Sequence, residues 1–210
     1  MKFLKLLAFI AALGAVPALA ASPMETAEQI KNQAVFCNGT YALCIKAPCV
    51  PIPTMDRLGN FTIDSAACSC SVESGWSMGP GQCADRAPVK QGGRTYMIST
   101  YSNFFNNMHG TLNNTLACNS STPWAWCYGA PCVVDENSPE NTATCTCPLQ
   151  TGPMQTLGGN CTADNCKFIW SAATPAGDNV ANELFAAYMQ RNGYSHNPPA
   201  ALCTASPSAK

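Results

Sequence analysis

Ala47-Pro48-Cys49-Val50, followed by Ala67-Cys68-Ser69-Cys70, decides the fold because the chain carries it twice. Ala130-Pro131-Cys132-Val133 and Thr144-Cys145-Thr146-Cys147 follow about 80 residues later. Ser74-Gly75 returns in the same way as Thr151-Gly152. Outward from these segments, Cys37, Cys44, Cys49, Cys68, Cys70 and Cys83 form one series. Cys118, Cys127, Cys132, Cys145, Cys147 and Cys161 form a second in the same order. A fixed period is the mark of an internal duplication.

Each copy is predicted to centre on a β-hairpin. From Phe61 to Val72 the chain alternates, with Ala66, Cys68, Cys70 and Val72 on one face. Ala143, Cys145, Cys147 and Leu149 do the same in the second copy. Period two means a half-buried strand. Val50-Pro51-Ile52-Pro53 is extended because proline excludes helix, and Asp56 to Asn60 and Asp135 to Asn141 supply the turns. Residues two apart on a strand point the same way, so both thiols of each Cys-x-Cys face the core and reach different partners. The functional alternative is a reactive Cys-x-Cys disulfide in a thiol–disulfide oxidoreductase. Its presence in both copies of a stapled unit favours the structural role, and the spacing leaves the connectivity open.

Matching tails follow. Tyr96-Met97-Ile98-Ser99 parallels Phe168-Ile169-Trp170-Ser171, and Leu116-Ala117-Cys118 parallels Ala201-Leu202-Cys203. A helix is expected after each first segment, from Ser102 to Met108 in one copy. In the other, Asp178 or Asn179 is the expected cap, Val180, Leu184, Ala187 and Tyr188 the apolar stripe, and Gly193 the stop. Cys166 has no counterpart in the first copy, so a Cys166–Cys203 bridge is expected to close the terminal helix onto the second. Ser22-Pro23-Met24-Glu25 starts an earlier helix, to about Val35, with Ala27, Ile30 and Ala34 facing the first module.

The fold expected is therefore α+β, small and disulfide-rich, with two tandem duplicated modules, each a β-hairpin core followed by a helix. Residues 1–20 form a signal peptide, 21–36 the N-terminal helix, 37–117 module one, 118–203 module two and 204–210 a disordered tail. The signal is read from Lys2 and Lys5, the short apolar run Leu6 to Val16, and the small-x-small site Ala18-Leu19-Ala20. Lys2 and Lys5 are two of eleven basic residues, leaving nine against twelve acidic ones, a net charge of −3 after cleavage. No basic cluster serves nucleic acid, and no further apolar run is long enough to span a membrane. All fourteen cysteines follow the signal, and there is no Cys-x-x-Cys. An even count in an exported chain reads as a disulfide framework that supplements small cores.

One motif suggests chemistry. Gly75-Trp76-Ser77-Met78-Gly79 fits Gly-x-Ser-x-Gly, and His109, His196 or Asp85 could complete a hydrolase triad. The enclosing pattern argues otherwise. No alternating strand–helix series is present, Gly79-Pro80-Gly81 opens no helix, and the matching segment Pro148 to Asn160 has no serine at the elbow position. Trp124 and Trp126 are expected to cover the disulfides, as Tyr41 and Leu43 do, whereas Trp76 is the candidate for a binding surface. Asn38, Asn60, Asn113, Asn119 and Asn160 begin glycosylation sequons. The acidic turn Asp135-Glu136-Asn137 with Glu140 lacks EF-hand spacing and reads as a solvated turn. The function expected is non-enzymatic: an exported protein that binds an extracellular or periplasmic ligand or protein, or is a structural element there, with no cofactor and no metal. A serine hydrolase using Ser77 is the alternative.

Overall fold

The computed structural model describes residues 23–102, 114–119, 121–158, 162–195 and 201–204. The expected signal peptide, the first tail helix over 103–108, His109, His196, Asn113, Asn160 and Cys161 lie outside them. The chain begins with α1 (Pro23–Gln33), β1 (Val35–Leu43), β2 (Cys49–Met55) and the 19-residue β3 (Phe61–Gly79). A 3-10 turn (Cys83–Arg86), β4 (Val89–Gln91) and β5 (Arg94–Ile98) follow. Next come β6 (Asn114–Cys118), β7 (Trp124–Ala125), β8 (Pro131–Val134), β9 (Thr142–Gln150) and β10 (Met154–Leu157). A second 3-10 turn (Ala163–Lys167), α2 (Pro175–Arg191) and β11 (Ala201–Thr204) complete the described elements. The result is a sheet-rich α+β protein with two helices and many disulfides.

Both hairpins form where the alternation placed them, as β2–β3 and β8–β9. They sit side by side in one eight-stranded sheet, because β3 pairs antiparallel with β9. The register puts Cys68 opposite Cys145, with Ala66 opposite Cys147 and Cys70 opposite Ala143. Cys49 faces Cys68 and Cys132 faces Cys145, so four cysteines lie abreast on β2, β3, β9 and β8. Each outer pair is itself a disulfide.

The pairing relations recur position by position. Ala42 opposite Val72 matches Ala125 opposite Leu149, and Cys37 opposite Ser77 matches Cys118 opposite Met154. The tails are exchanged. Met97 and Ile98 pair with Cys132 and Pro131, while Trp170 bridges to Pro48 and Cys49 N–H donates to the Ile169 carbonyl. Each stretch therefore supplies a tail that pairs with the other's hairpin, as the strand β5 from the first and as isolated bridges from the second.

The disulfides follow the same scheme twice, with one correction. Cys37–Cys83, Cys44–Cys70 and Cys49–Cys68 nest in the first stretch; Cys118–Cys166, Cys127–Cys147 and Cys132–Cys145 nest in the second. Cys166 thus takes the role of Cys83, and the expected Cys166–Cys203 bridge does not form. The reason is local: both cysteines sit in a 3-10 turn past the long strand, where the chain returns to the first cysteine of its series. Cys203 is disulfide-bonded too, and no described cysteine is free.

Two cores result. One is made of cystines and small side chains, including Ala42, Ala66, Ala125 and Ala143, all essentially inaccessible. Disulfides supply volume here that large apolar residues supply in bigger proteins. The second core is apolar and aromatic, and α2 fills it with Ala181, Phe185 and Met189. The expected stripe was one residue out of phase: Val180, Leu184 and Tyr188 flank it, partly buried. The cap also moves, to Thr174, whose hydroxyl accepts from Gly177 N–H with Pro175 in the first turn. α1 ends at Gln33, since Val35 already pairs with Gly79, and it packs on α2 rather than on the first stretch alone. Thr204 closes β11 against Ala117 instead of belonging to the tail.

Candidate functional site

Ser77 lies inside β3, opposite Cys37, and is 3% exposed. The strand runs on to Gly79, and the next regular element is the 3-10 turn at Cys83. A nucleophile elbow needs a strand that ends at the serine and feeds a helix, and this backbone does neither. Gly75 lies within the strand, at φ 138°. Asp85 is exposed in the 3-10 turn. Met154 holds Ser77's register position in the second stretch and is equally buried.

The other expectations divide. Trp76 is half-buried, with ring centroids 5.4 Å from Tyr188 and 5.0 Å from Tyr194. Trp124 and Trp126 meet edge to face at 6.4 Å, inside the helical core with Cys118 rather than over the cystine core. Cys68, Cys70, Cys145 and Cys147 are fully buried and bonded to separate partners, so no Cys-x-Cys disulfide exists. The close sulfur groups around Cys44 belong to these disulfides, which leaves them no lone thiolate for a metal. Glu136 of the acidic turn accepts from Thr95, and Asp135 accepts from Asn137 N–H. Asn38, Asn60 and Asn119 are exposed, with the Asn60 amide donating to Asp56.

A cavity of about 70 Å³ lies where the exchanged tails meet α2. Leu43 and Cys44 form one wall, and their counterparts Trp126 and Cys127 form the facing one. Ser99, Thr100 and Tyr101 meet Ala172 and Ala173 across it. The first turns of α2 close it through Gly177, Asp178 and Ala181, with Gln155 of β10 beside them. On the outer side of Gln155 and Asp178 is an open groove of about 390 Å³, lined also by Thr115, Asn179, Asn182 and Glu183.

The polar groups of this region are unusual. Tyr101 O–H donates to Asn182 Oδ1 at 2.7 Å, and Asn182 Nδ2 donates to the Asp178 carbonyl at 2.9 Å. Burial raises the Asp178 carboxyl to about 6, well above the ordinary carboxylate range. Burial also pushes the phenols of Tyr101 and Tyr128 upward, opposed in Tyr128 by the Arg86 charge. The Tyr128 hydroxyl, Thr100 Oγ1 and all three Arg86 side-chain nitrogens are buried without a hydrogen-bond partner. Such groups are costly unless something completes them. Asp178 was legible in the sequence only as a helix start. The signal that marks it as more is its burial, and that needs the packing of α2 on β10. Compared with known proteins, the chain matches no family model, no curated protein and no solved structure.

Proposed function

We propose that the chain is an exported, disulfide-stapled binding protein, built from an internal duplication, that holds a small ligand between its two halves. The cavity carries this reading: it is mainly apolar, has a few convergent polar groups, and adjoins a carboxyl displaced by burial, the usual profile of a ligand site. The repeated registers and nested disulfides support the duplication. Six described disulfides fit an oxidising compartment, secreted or periplasmic. Among the described residues no helix is long and apolar enough to cross a membrane.

Xenon tests the cavity without presuming a ligand. Resonances of Leu43, Ala172 and Ala181 are expected to shift on xenon titration, while those of the β4–β5 hairpin stay fixed. A spectrum unmoved at the cavity would sink the binding reading and leave a purely structural role. The hydrolase alternative is expected to fail separately, with no labelling of Ser77 by a fluorophosphonate.

A further inference from the structure

The two spaces that share Gln155 and Asp178 differ in size and in how many polar groups line them. The first is walled by Ile30, Leu43, Trp126 and Ala181 and is chiefly apolar, with a partly open mouth. The second is larger and mixed, with Asn179, Asn182 and Glu183 beside Ala186 and Leu202. Among the described residues lining either space, Asp178 and Glu183 alone are formally charged, and both are acidic. From these features we propose that the site takes a short-chain aliphatic amine, its ammonium at Asp178 and Glu183 and its chain in the apolar cavity. The proposal rests on the binding reading above and adds the ligand's chemistry to it.

Charge and size support this class, and unmet polar groups mark the cavity as a site. A carboxylate in a low-dielectric wall gains a strong, hydrogen-bonded partner in an ammonium and none in a carboxylate ligand. The cavity, at about 70 Å³, is well below the ~150 Å³ that holds benzene, so it suits an unbranched chain rather than a ring. Thr100 is 4% exposed, and its Oγ1 is unpartnered at the cavity wall, as is the Tyr128 hydroxyl. The Arg86 charge acts on Tyr128, so that end of the cavity repels a cation. The ammonium is thereby oriented toward Asp178, whose described ionisable neighbours are Tyr101 and, in the groove, Glu183.

The test is calorimetric titration of the full oxidised chain with n-butylamine, n-butanol and n-butyrate at pH 7.5 and pH 5. Butylamine is expected to bind about tenfold or more tightly than butanol at pH 7.5, a gap of about 1.4 kcal/mol, with no butyrate binding. The amine should weaken at pH 5, where Asp178 carries a proton and the amine keeps its charge. Asp178→Asn should remove the amine's advantage and leave butanol unchanged. Glu183→Gln, on an exposed residue, should reduce amine affinity by a smaller factor. Equal binding of amine and alcohol, or an amine affinity indifferent to Asp178→Asn, overturns the amine assignment while the cavity reading stands. Failure of all three probes, with xenon also excluded, overturns both.

Discussion

The hairpins β2–β3 and β8–β9 share a base and differ at the tip. Cystines Cys49–Cys68 and Cys132–Cys145 hold the bases in the same register, but their sequence separations are 19 and 13. The additional residues build an arm beyond the sheet, with Met55 opposite Phe61 and a bulge between Ile52 and Thr54. That arm exposes Val50, Met55, Phe61 and Ile63, and Leu58 at its turn is 87% exposed. The shorter hairpin turns through Asp135, Glu136 and Asn137 and exposes no large apolar residue. Pro51 and Pro53 lack N–H groups, which blunts the free edge of β2 against strand addition even though its side chains are apolar. The longer turn is held by Asp56, whose carboxylate accepts from the Asn60 amide and the N–H groups of Leu58 and Asn60. Those bonds, the Asn60 side chain foremost, keep the Asp56 carboxyl below its usual range. A cystine at the base fixes a hairpin's register, and the turn beyond is then free to diverge.

If the two stretches are equivalent at their cystines, removing corresponding bridges should cost similar amounts. Replacing Cys44 and Cys70 by alanine, or Cys127 and Cys147, is expected to lower stability by about 2–5 kcal/mol in each case. Their separations of 26 and 20 should alter this by only a few tenths. Chemical denaturation of the two variants gives the numbers. A loss confined to one stretch would break the equivalence.

The next effect concerns a position where the stretches part. Gly79 holds the register place that Thr156 holds in the second stretch. A Cβ on Gly79 would lie 2.4 Å from Arg86 Nη1 and 2.6 Å from Thr100 Cγ2. Gly79→Ala should therefore cost about 1–3 kcal/mol by overpacking. Arg86→Met, which also removes an unpartnered buried charge, should recover most of it. A double-mutant cycle with no coupling would show that Arg86 is not what demands the glycine.

A comparable effect should come from Asp178, which has no acidic counterpart, since α2 has no described equivalent in the first stretch. Its folded value of about 6 lies above the ordinary aspartate value of 3.8. The folded state then holds a proton that the unfolded state has lost between those limits, so stability falls as pH rises through that window. Asp178→Asn should accordingly stabilise the chain by about 1–3 kcal/mol at pH 7.5 and by little at pH 3.5. Melting curves at the two pH values test the sign, and an equal shift at both would show the carboxyl to be unperturbed. The smallest effect is reserved for the arm. Leu58→Ser and Phe61→Thr should each change stability by no more than about 0.5 kcal/mol, because both side chains are already in solvent. A larger loss would mean that the apolar arm packs on something within the fold.

The sequence by itself determined the strands, the hairpins and the stapled character. Alternation is a local property, and Cys68, Cys70, Cys145 and Cys147 had to face inward once their segments were extended. The short helix at Pro23 was legible for the same reason, from its proline and its apolar spacing. What tertiary structure decided is how the parts complete one another. Cys166 reads as an extra because the order of the cysteines matches Cys161 to Cys83, whereas the 3-10 turns bring Cys166 back to Cys118. Nothing local requires Met97 to pair with Cys132 and Trp170 to reach Pro48, since strand exchange depends on which edges remain open once β3 and β9 have joined. The burial of Asp178 is of the same kind. A carboxyl in a first helical turn is ordinary in sequence, and only the packing of that turn against Gln155 and the cavity sets it apart.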